Sequence, residues 1–290
     1  MTWGASEALL AQFEEYLVLT KLSPLTVVNY LADLRDLARW GVHHVNPEFS
    51  LTGLTPNTIR AYRSHLLDEK QCAVSTINRH LQALRKFCGF AVRRGFMSSD
   101  PTEGVQLVQS EGNVPVVPLS VTEIEALLEA TGSQQPSLAR RDSAILMLLL
   151  HTGLRVNELV ALRLDDVQFD HPGTRLIVKD GRGGETRRIP LGNQVRHALS
   201  EYLSVRPDIA GEAHLFLSRE GHPLSARSVQ RIVSISARAA GLEGVSPQLL
   251  RRTYASHLLA STGDLALVSR RLGHQSLAAT TRYIADSANQ

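Results

Sequence analysis

Cysteine is nearly absent: Cys72 and Cys88 are the only two in 290 residues. Two thiols make neither a disulfide framework nor a cysteine-ligated metal site, and both sit in apolar helical contexts where they read as small core residues. Long apolar runs are missing as well. The longest, Ala144 to Leu150, is far shorter than the roughly 20 residues that cross a bilayer. The N-terminal stretch MTWGASEALLAQFEEY lacks the charged-then-apolar layout of a secretory signal. A reduced, cytoplasmic location without membrane contact is therefore expected. Charge of one sign is scarce too, with a net value of +3 and a sequence pI of about 9.0. So slight an excess is compatible with a nucleic-acid partner and with none. No metal-ligand cluster and no Ser-His-Asp order appear. Asp180 to Glu185 (DGRGGE) is glycine-rich but runs from strand to strand, without the helix that a nucleotide loop needs. The chemistry is expected to use no cofactor, metal or nucleotide.

What is present is an ordinary globular balance, 43% hydrophobic and 20% charged, in a chain long enough for two cores. The first hundred residues read as helices. Residues 6–20 have helical apolar spacing, and Ser23-Pro24 and Thr55-Pro56 each pair an N-cap with proline at the first helical position. These two helices should run to about Trp40 and Lys70. Ser75 is placed as the cap of a fourth helix that runs to Arg94 and closes at Gly95. From Pro101 to Leu119, three prolines, two glycines and no helical period read as an extended linker. Ser120 and Glu123 then form a capping box, with Leu119 and Ile124 as a hydrophobic staple. Asp142 to His151 is a buried helix. Leu176–Lys179 and Arg187–Pro190 are short strands around a flexible tip, and LFLSREGHPLS (215–225) carries another strand and turn. The chain returns to helices from Ala226. The expected fold is mainly α with a small antiparallel sheet, divided into residues 1–104, a linker at 105–118, and residues 119–290.

The fourth helix has two faces. Ile77, Leu81, Leu84, Cys88 and Ala91 recur at three- and four-residue spacing and face a core. Arg79, Lys86 and Arg93 recur every seven residues as a cationic row. On pattern alone such a row is an ordinary solvated face, but its pitch also suits a phosphate backbone.

Two segments carry chemistry-bearing side chains: HTGLRVNELVALRLDDV (151–167) and SPQLLRRTYASHLLASTGDLALVSRRLGHQSLAATTRY (246–283). They resemble the signature of the tyrosine recombinase/phage integrase family, and the resemblance extends over essentially the whole chain. LSPLTVVNYLADL (22–34) and STINRHLQALRKF (75–87) are similar to that family's helical core-binding domain, which favours DNA contact for Arg79, Lys86 and Arg93. The resemblance implies an all-helical N-terminal domain and an α+β catalytic domain, closed as a clamp around duplex DNA. It implies site-specific DNA recombination through a 3′-phosphotyrosyl intermediate, by a homo-tetramer (or a hetero-tetramer with a related recombinase) on paired half-sites.

The residue types suit that chemistry. A tyrosine can form a phosphoester that is readily reversed, provided nearby positive charge favours its phenolate. Guanidiniums offer planar forks to non-bridging oxygens and stay charged. By resemblance, Arg155 and Arg251 are the phosphate clamps, Lys179 the general acid, His274 the group that bonds the phosphate or the nucleophile, and Tyr283 the nucleophile. Glu158, one turn from Arg155, is placed to fix its guanidinium. Tyr254 is the rival nucleophile on bare chemistry, in a helix stretch where the family has a core aromatic. His257 is placed as a structural helix position. Gln248 stands where the family usually has histidine; it can donate to a phosphate oxygen but cannot take a proton. That departure leaves a DNA-binding protein of recombinase descent, weakened in catalysis, as the alternative, with a topoisomerase-like relaxer as a third reading. The residues beyond the tyrosine, Ile284 to Gln290, are too few for the additional docking helix common in the family, so assembly is expected to depend less on tail exchange.

Overall fold

Ser23 Oγ accepts from the Thr26 N–H at 3.1 Å and Pro24 follows it, so the cap and a pre-set φ start α2 (Pro24–His44) where pattern places it. The computed structural model describes residues 3–20, 22–109, 117–130, 135–170, 173–179, 186–274 and 276–288. Contacts divide the chain into two compact units, residues 1–112 and 113–290.

The first unit is helical: α1 (Trp3–Leu19), α2, α3 (Pro56–Ser64) and α4 (Val74–Arg93). All five apolar positions read from the α4 pattern are buried at 2% exposure or less. They meet Phe13 and Leu17 of α1 and Leu34 and Leu37 of α2, with Phe13 packed edge-on to Phe87. Two local expectations change. The cap of α4 is Ala73, without a side-chain hydrogen bond, so Ser75 lies inside the first turn. The third helix does not stay α-helical to Lys70; it widens into a π-helix, His65–Glu69, closed by the Lys70 N–H donating to His65 O at 2.9 Å. The stretch read as linker has no regular structure, yet its first part is pinned. Asn78 exchanges two 2.9 Å hydrogen bonds with the Val108 backbone, Arg85 donates to Val105 O at 2.6 Å, and Val105 is buried. Proline and glycine exclude helix; they do not exclude packing. Residues 110–116 of that stretch lie outside the described residues.

The second unit begins with the expected capping box: Glu123 N–H donates to Ser120 Oγ, and Ser120 N–H to Glu123 Oε2. Leu119 is buried with Ile124 packed on the same core, and its N–H donates to Thr253 Oγ1 at 3.0 Å. After α5 (Val121–Glu129), α6 (Pro136–Thr152) is the central helix, with Ala144, Ile145, Leu146, Leu148 and Leu149 at 0% exposure. Then come α7 (Val156–Ala161) and a three-stranded antiparallel sheet in the order β1 (Val167–Asp170), β2 (Gly173–Val178), β3 (Arg187–Leu191). β1 escaped the pattern reading; it pairs Val167 with Leu176. The hairpin tip, 180–185, lies outside the described residues. Residues 215–225 form a tight corner, closed by Ser218 N–H to His222 O at 2.7 Å. The remaining helices are α8 (Asn193–Leu203), α9 (Ala226–Ala239), α10 (Pro247–Thr262), α11 (Leu265–Leu272) and α12 (Leu277–Ala288). The fold is mainly α with a small antiparallel sheet. Among the described residues, no helix is long and apolar enough to cross a membrane.

Candidate active site

Two helix ends build the site. α6 stops at Gly153, whose φ of 61° is left-handed and whose Cβ, if present, would lie 2.5 Å from Tyr254 Cδ1. The turn delivers Arg155 to the start of α7. α11 stops in the same way at Gly273, φ 64°, where a Cβ would meet the Arg187 guanidinium at 2.8 Å. Both ends leave carbonyls without intrahelical partners, and both carry the negative end of a helix dipole. Arg251, in α10 and 5% exposed, satisfies them: Nη1 donates to Gly153 O at 2.5 Å and Nη2 to Leu272 O at 2.7 Å. Burial, with the charge of Arg155, pushes its pKa down to about 10, still charged at neutral pH.

Arg251 Nη2 also donates to His274 Nε2 at 3.2 Å. A guanidinium has no lone pair to accept with, so Nε2 is the acceptor and Nδ1 carries the proton, which it donates to Thr280 Oγ1 at 2.8 Å. His274 is therefore neutral, and burial with the charges of Arg251, Arg155 and Arg187 holds its pKa down at about 4. Tyr283 packs edge-on to His274, with ring centroids 5.5 Å apart, and the Arg252 guanidinium lies over the Tyr283 ring, 5.3 Å from its centroid. Its hydroxyl donates to Gln248 O at 3.4 Å. Burial raises the Tyr283 pKa; Arg251 and Arg252 oppose that without cancelling it. The resting side chain is a phenol.

Glu158 is the anionic hub. Its carboxylate accepts from the Arg155 backbone N–H at 2.8 Å and from Arg155 Nη1 at 3.0 Å. It takes two more hydrogen bonds from Arg187, at 2.9 and 2.7 Å, and lies 3.8 Å from Arg251. Burial pushes its pKa up, but Arg187 and Arg155 outweigh it and hold the carboxyl below its ordinary value. Three guanidiniums on one carboxylate leave an excess of about two positive charges, with Arg155 facing solvent at 45% side-chain exposure. Such an excess favours an anion.

Four of the predicted residues, Arg155, Arg251, His274 and Tyr283, thus meet. Lys179 does not join them: it is exposed at the end of β2 and bonded to buried Asp166 at 2.7 Å. The Gln248 side chain is exposed at the start of α10, and its backbone carbonyl accepts from the Tyr283 hydroxyl. Tyr254 is half-buried against Gly153, and burial raises its pKa. His257 is exposed. Sequence reading missed Arg187 and Thr280. Arg187 had a usable signal, because strand alternation puts it on the inward face with buried Ile189 and Leu191. Thr280, fully buried, had none.

On α4 the cationic row is not uniform. Arg79 Nη1 lies 2.6 Å from both oxygens of buried Asp33. Arg93 sits over the Tyr16 ring at 5.2 Å and donates to its hydroxyl at 2.5 Å. Lys86, half-buried, has no ion pair among the described residues.

The model of the phage integrase family matches residues 118–290, and that of the phage integrase N-terminal SAM-like domain matches 10–95. The chain is 36% identical over 286 residues to "Tyrosine recombinase XerC" of Mycobacterium sp. (strain JLS), covering 96% of this chain and 93% of that protein. It is 34% identical over 281 residues to "Tyrosine recombinase XerD" of Mycobacterium tuberculosis (strain CDC 1551 / Oshkosh), covering 89% and 86%. In fold it is similar to a lambda integrase tetramer bound to a Holliday junction, with a TM-score of 0.76, 20% identity, and coverage of 98% of this chain and 78% of that one.

Proposed function

The chain belongs to the phage integrase family, and on that footing we propose that it is a tyrosine-type site-specific DNA recombinase with Tyr283 as nucleophile. The observation that carries this reading is the meeting of Arg155, Arg251, His274 and Tyr283, from four separate elements, around a solvent-facing positive excess.

The substrate is duplex DNA with paired half-sites. Arg155 and Arg251 hold the non-bridging oxygens of the scissile phosphate, a task for planar forks. The phosphate draws Arg251 Nη2 away from His274 and neutralises the charges that depress its pKa. Nε2 is then free and more basic, and it takes the Tyr283 proton as Oη attacks phosphorus. The P–Oη bond forms and the P–O5′ bond breaks, leaving a 3′-phosphotyrosyl link. Lys179 leaves Asp166 and protonates the departing 5′ oxygen. Attack by a 5′-hydroxyl of the other duplex reverses the step and rejoins the strands. Gln248 donates a neutral hydrogen bond to a phosphate oxygen. Four protomers, of this chain alone or shared with a related recombinase, assemble on two sites; the tetrameric lambda integrase of the same fold supports that arrangement. On α4, Lys86 and Arg93 contact phosphates, while Arg79 is committed first to Asp33.

The test is a suicide substrate, a nicked duplex that traps the covalent intermediate. The unmodified chain forms a protein–DNA adduct, and Tyr283→Phe abolishes it while DNA affinity stays within about twofold. An adduct that persists in Tyr283→Phe moves the nucleophile, with Tyr254 the first suspect. No adduct from the unmodified chain supports the binding-only alternative that Gln248 raises. Relaxation of a supercoiled plasmid lacking any specific site points instead to a topoisomerase-like enzyme.

A further inference from the structure

The helical unit holds a second group of ligand-type side chains, unrelated to the phosphate chemistry. His44 is the last residue of α2, His65 opens the π-helix, and Glu69 closes it. One donor atom from each lies within 4.8 Å of those of the other two. These residues are remote in sequence at one end, so tertiary packing alone brings His44 to the pair.

The local chemistry prepares them. His44 Nδ1 lies 3.0 Å from Trp40 O, and a carbonyl can only accept; Nδ1 therefore carries the proton and Nε2 keeps a lone pair. A ligating histidine is commonly oriented through its other ring nitrogen in this way. The His44 ring is also held flat against Trp40, at 5.4 Å and 12°, and sits 5.1 Å from the His65 ring. His65 is 11% exposed in its side chain, with Nδ1 2.8 Å from Glu69 Oε2; Glu69 is 65% exposed. That separation is already near the edge of a coordination polyhedron, about 3.3 Å for tetrahedral bonds of 2.0–2.1 Å. The α2 C-terminus adds its dipole's negative end, which favours a cation. A π-turn, with its inserted residue, recurs at functional sites. As a bare surface ion pair, His65 and Glu69 would need no oriented third donor from another helix.

We propose that His44, His65 and Glu69 bind a divalent transition ion of the zinc type, which ties the end of α2 to the π-helix. Two imidazoles and one carboxylate suit zinc, cobalt and nickel, whereas calcium and magnesium take all-oxygen sets. The exposed Glu69 swings in to close the donor triangle, and water completes the coordination.

Untagged, chelator-stripped full-length chain is titrated with Zn²⁺ by calorimetry and with Co²⁺ by visible absorption. One equivalent should bind with micromolar affinity, with a raised melting temperature and a tetrahedral cobalt spectrum. His44→Ala and Glu69→Gln, both at exposed positions, should each weaken binding by about tenfold or more. His65→Ala removes a packed ring, so its loss of binding counts only with an unchanged circular dichroism spectrum. No saturable uptake at 100 µM free zinc overturns the proposal. So does affinity unchanged in either His44→Ala or Glu69→Gln, which would place the ion elsewhere.

Discussion

Arg187 donates twice to Glu158, which in turn orients Arg155, so its charge reaches the site through another side chain. Its side chain is 11% exposed and lies against Glu158, within the site rather than on the surface. Arg187→Gln should slow single-turnover cleavage by about 10- to 100-fold, on the order of 1.4–3 kcal/mol, with DNA affinity nearly unchanged. Equal losses in affinity and rate would assign it to binding instead. Arg155→Lys and Arg251→Lys should each cost a hundredfold or more, on the order of 3 kcal/mol, since a point charge cannot clamp two oxygens. His274 offers a direct reading of the electrostatics. In the free protein its imidazole should titrate near pH 4 by NMR, the value that burial and three arginines enforce. Adding a site oligonucleotide to the Tyr283→Phe chain should move that titration upward, because the phosphate cancels the arginine charges. A downward move would remove His274 from the role of proton acceptor.

Among the elements, α4 shows how a helix pattern can be right about faces and silent about partners. Its apolar stripe is buried as the spacing requires. Its cationic row, however, has already spent Arg79 on Asp33, whose carboxyl burial pushes up to about 6 against the pull of Arg79. Lys86→Gln and Arg93→Gln should each reduce the slope of log affinity against log salt by about 0.9, one phosphate contact apiece. Arg79→Gln should act on folding, costing about 1–3 kcal/mol by taking the guanidinium from the buried Asp33 carboxylate and leaving it to His80 Nε2 at 3.1 Å, with little change in slope. Urea midpoints and salt-dependent binding on the same three variants separate the two roles. A slope that drops for Arg79→Gln and stays fixed for the others would reverse the assignment.

At the scale of the whole molecule, the two units should answer acid differently. His274 has a folded pKa of about 4 against 6.5, so between those values the unfolded chain binds a proton that the folded chain does not. The stability of residues 113–290 therefore falls as pH drops through that window, by about 1–2 kcal/mol after allowance for partial exposure. In residues 1–112, His80 acts in the same direction, with a pKa of about 4, but Asp33 is raised from 3.8 to about 6 and gains stability as pH falls. The two offset. Both tryptophans, Trp3 and Trp40, lie in the first unit. Urea unfolding of the whole chain followed by tryptophan fluorescence should thus shift little between pH 7 and 4.5, while a second transition seen by circular dichroism moves to lower urea. Coincident shifts would mean the units unfold as one. By itself the sequence displayed caps at Ser23, Thr55 and Ser120 and the α4 stripe, and its resemblance to the family named Arg155, Arg251, His274 and Tyr283 as candidates. These rest on local geometry and on motif residues a few positions apart, which the linear order displays. Only tertiary structure decided that Arg187 bonds Glu158, that Arg79 belongs to Asp33, that Lys179 rests on Asp166, and that His44 faces His65 and Glu69. Each of those joins groups from different elements. Their partners are set by which helix ends and strand faces the packing of two hydrophobic cores brings together, and no period along the chain records that.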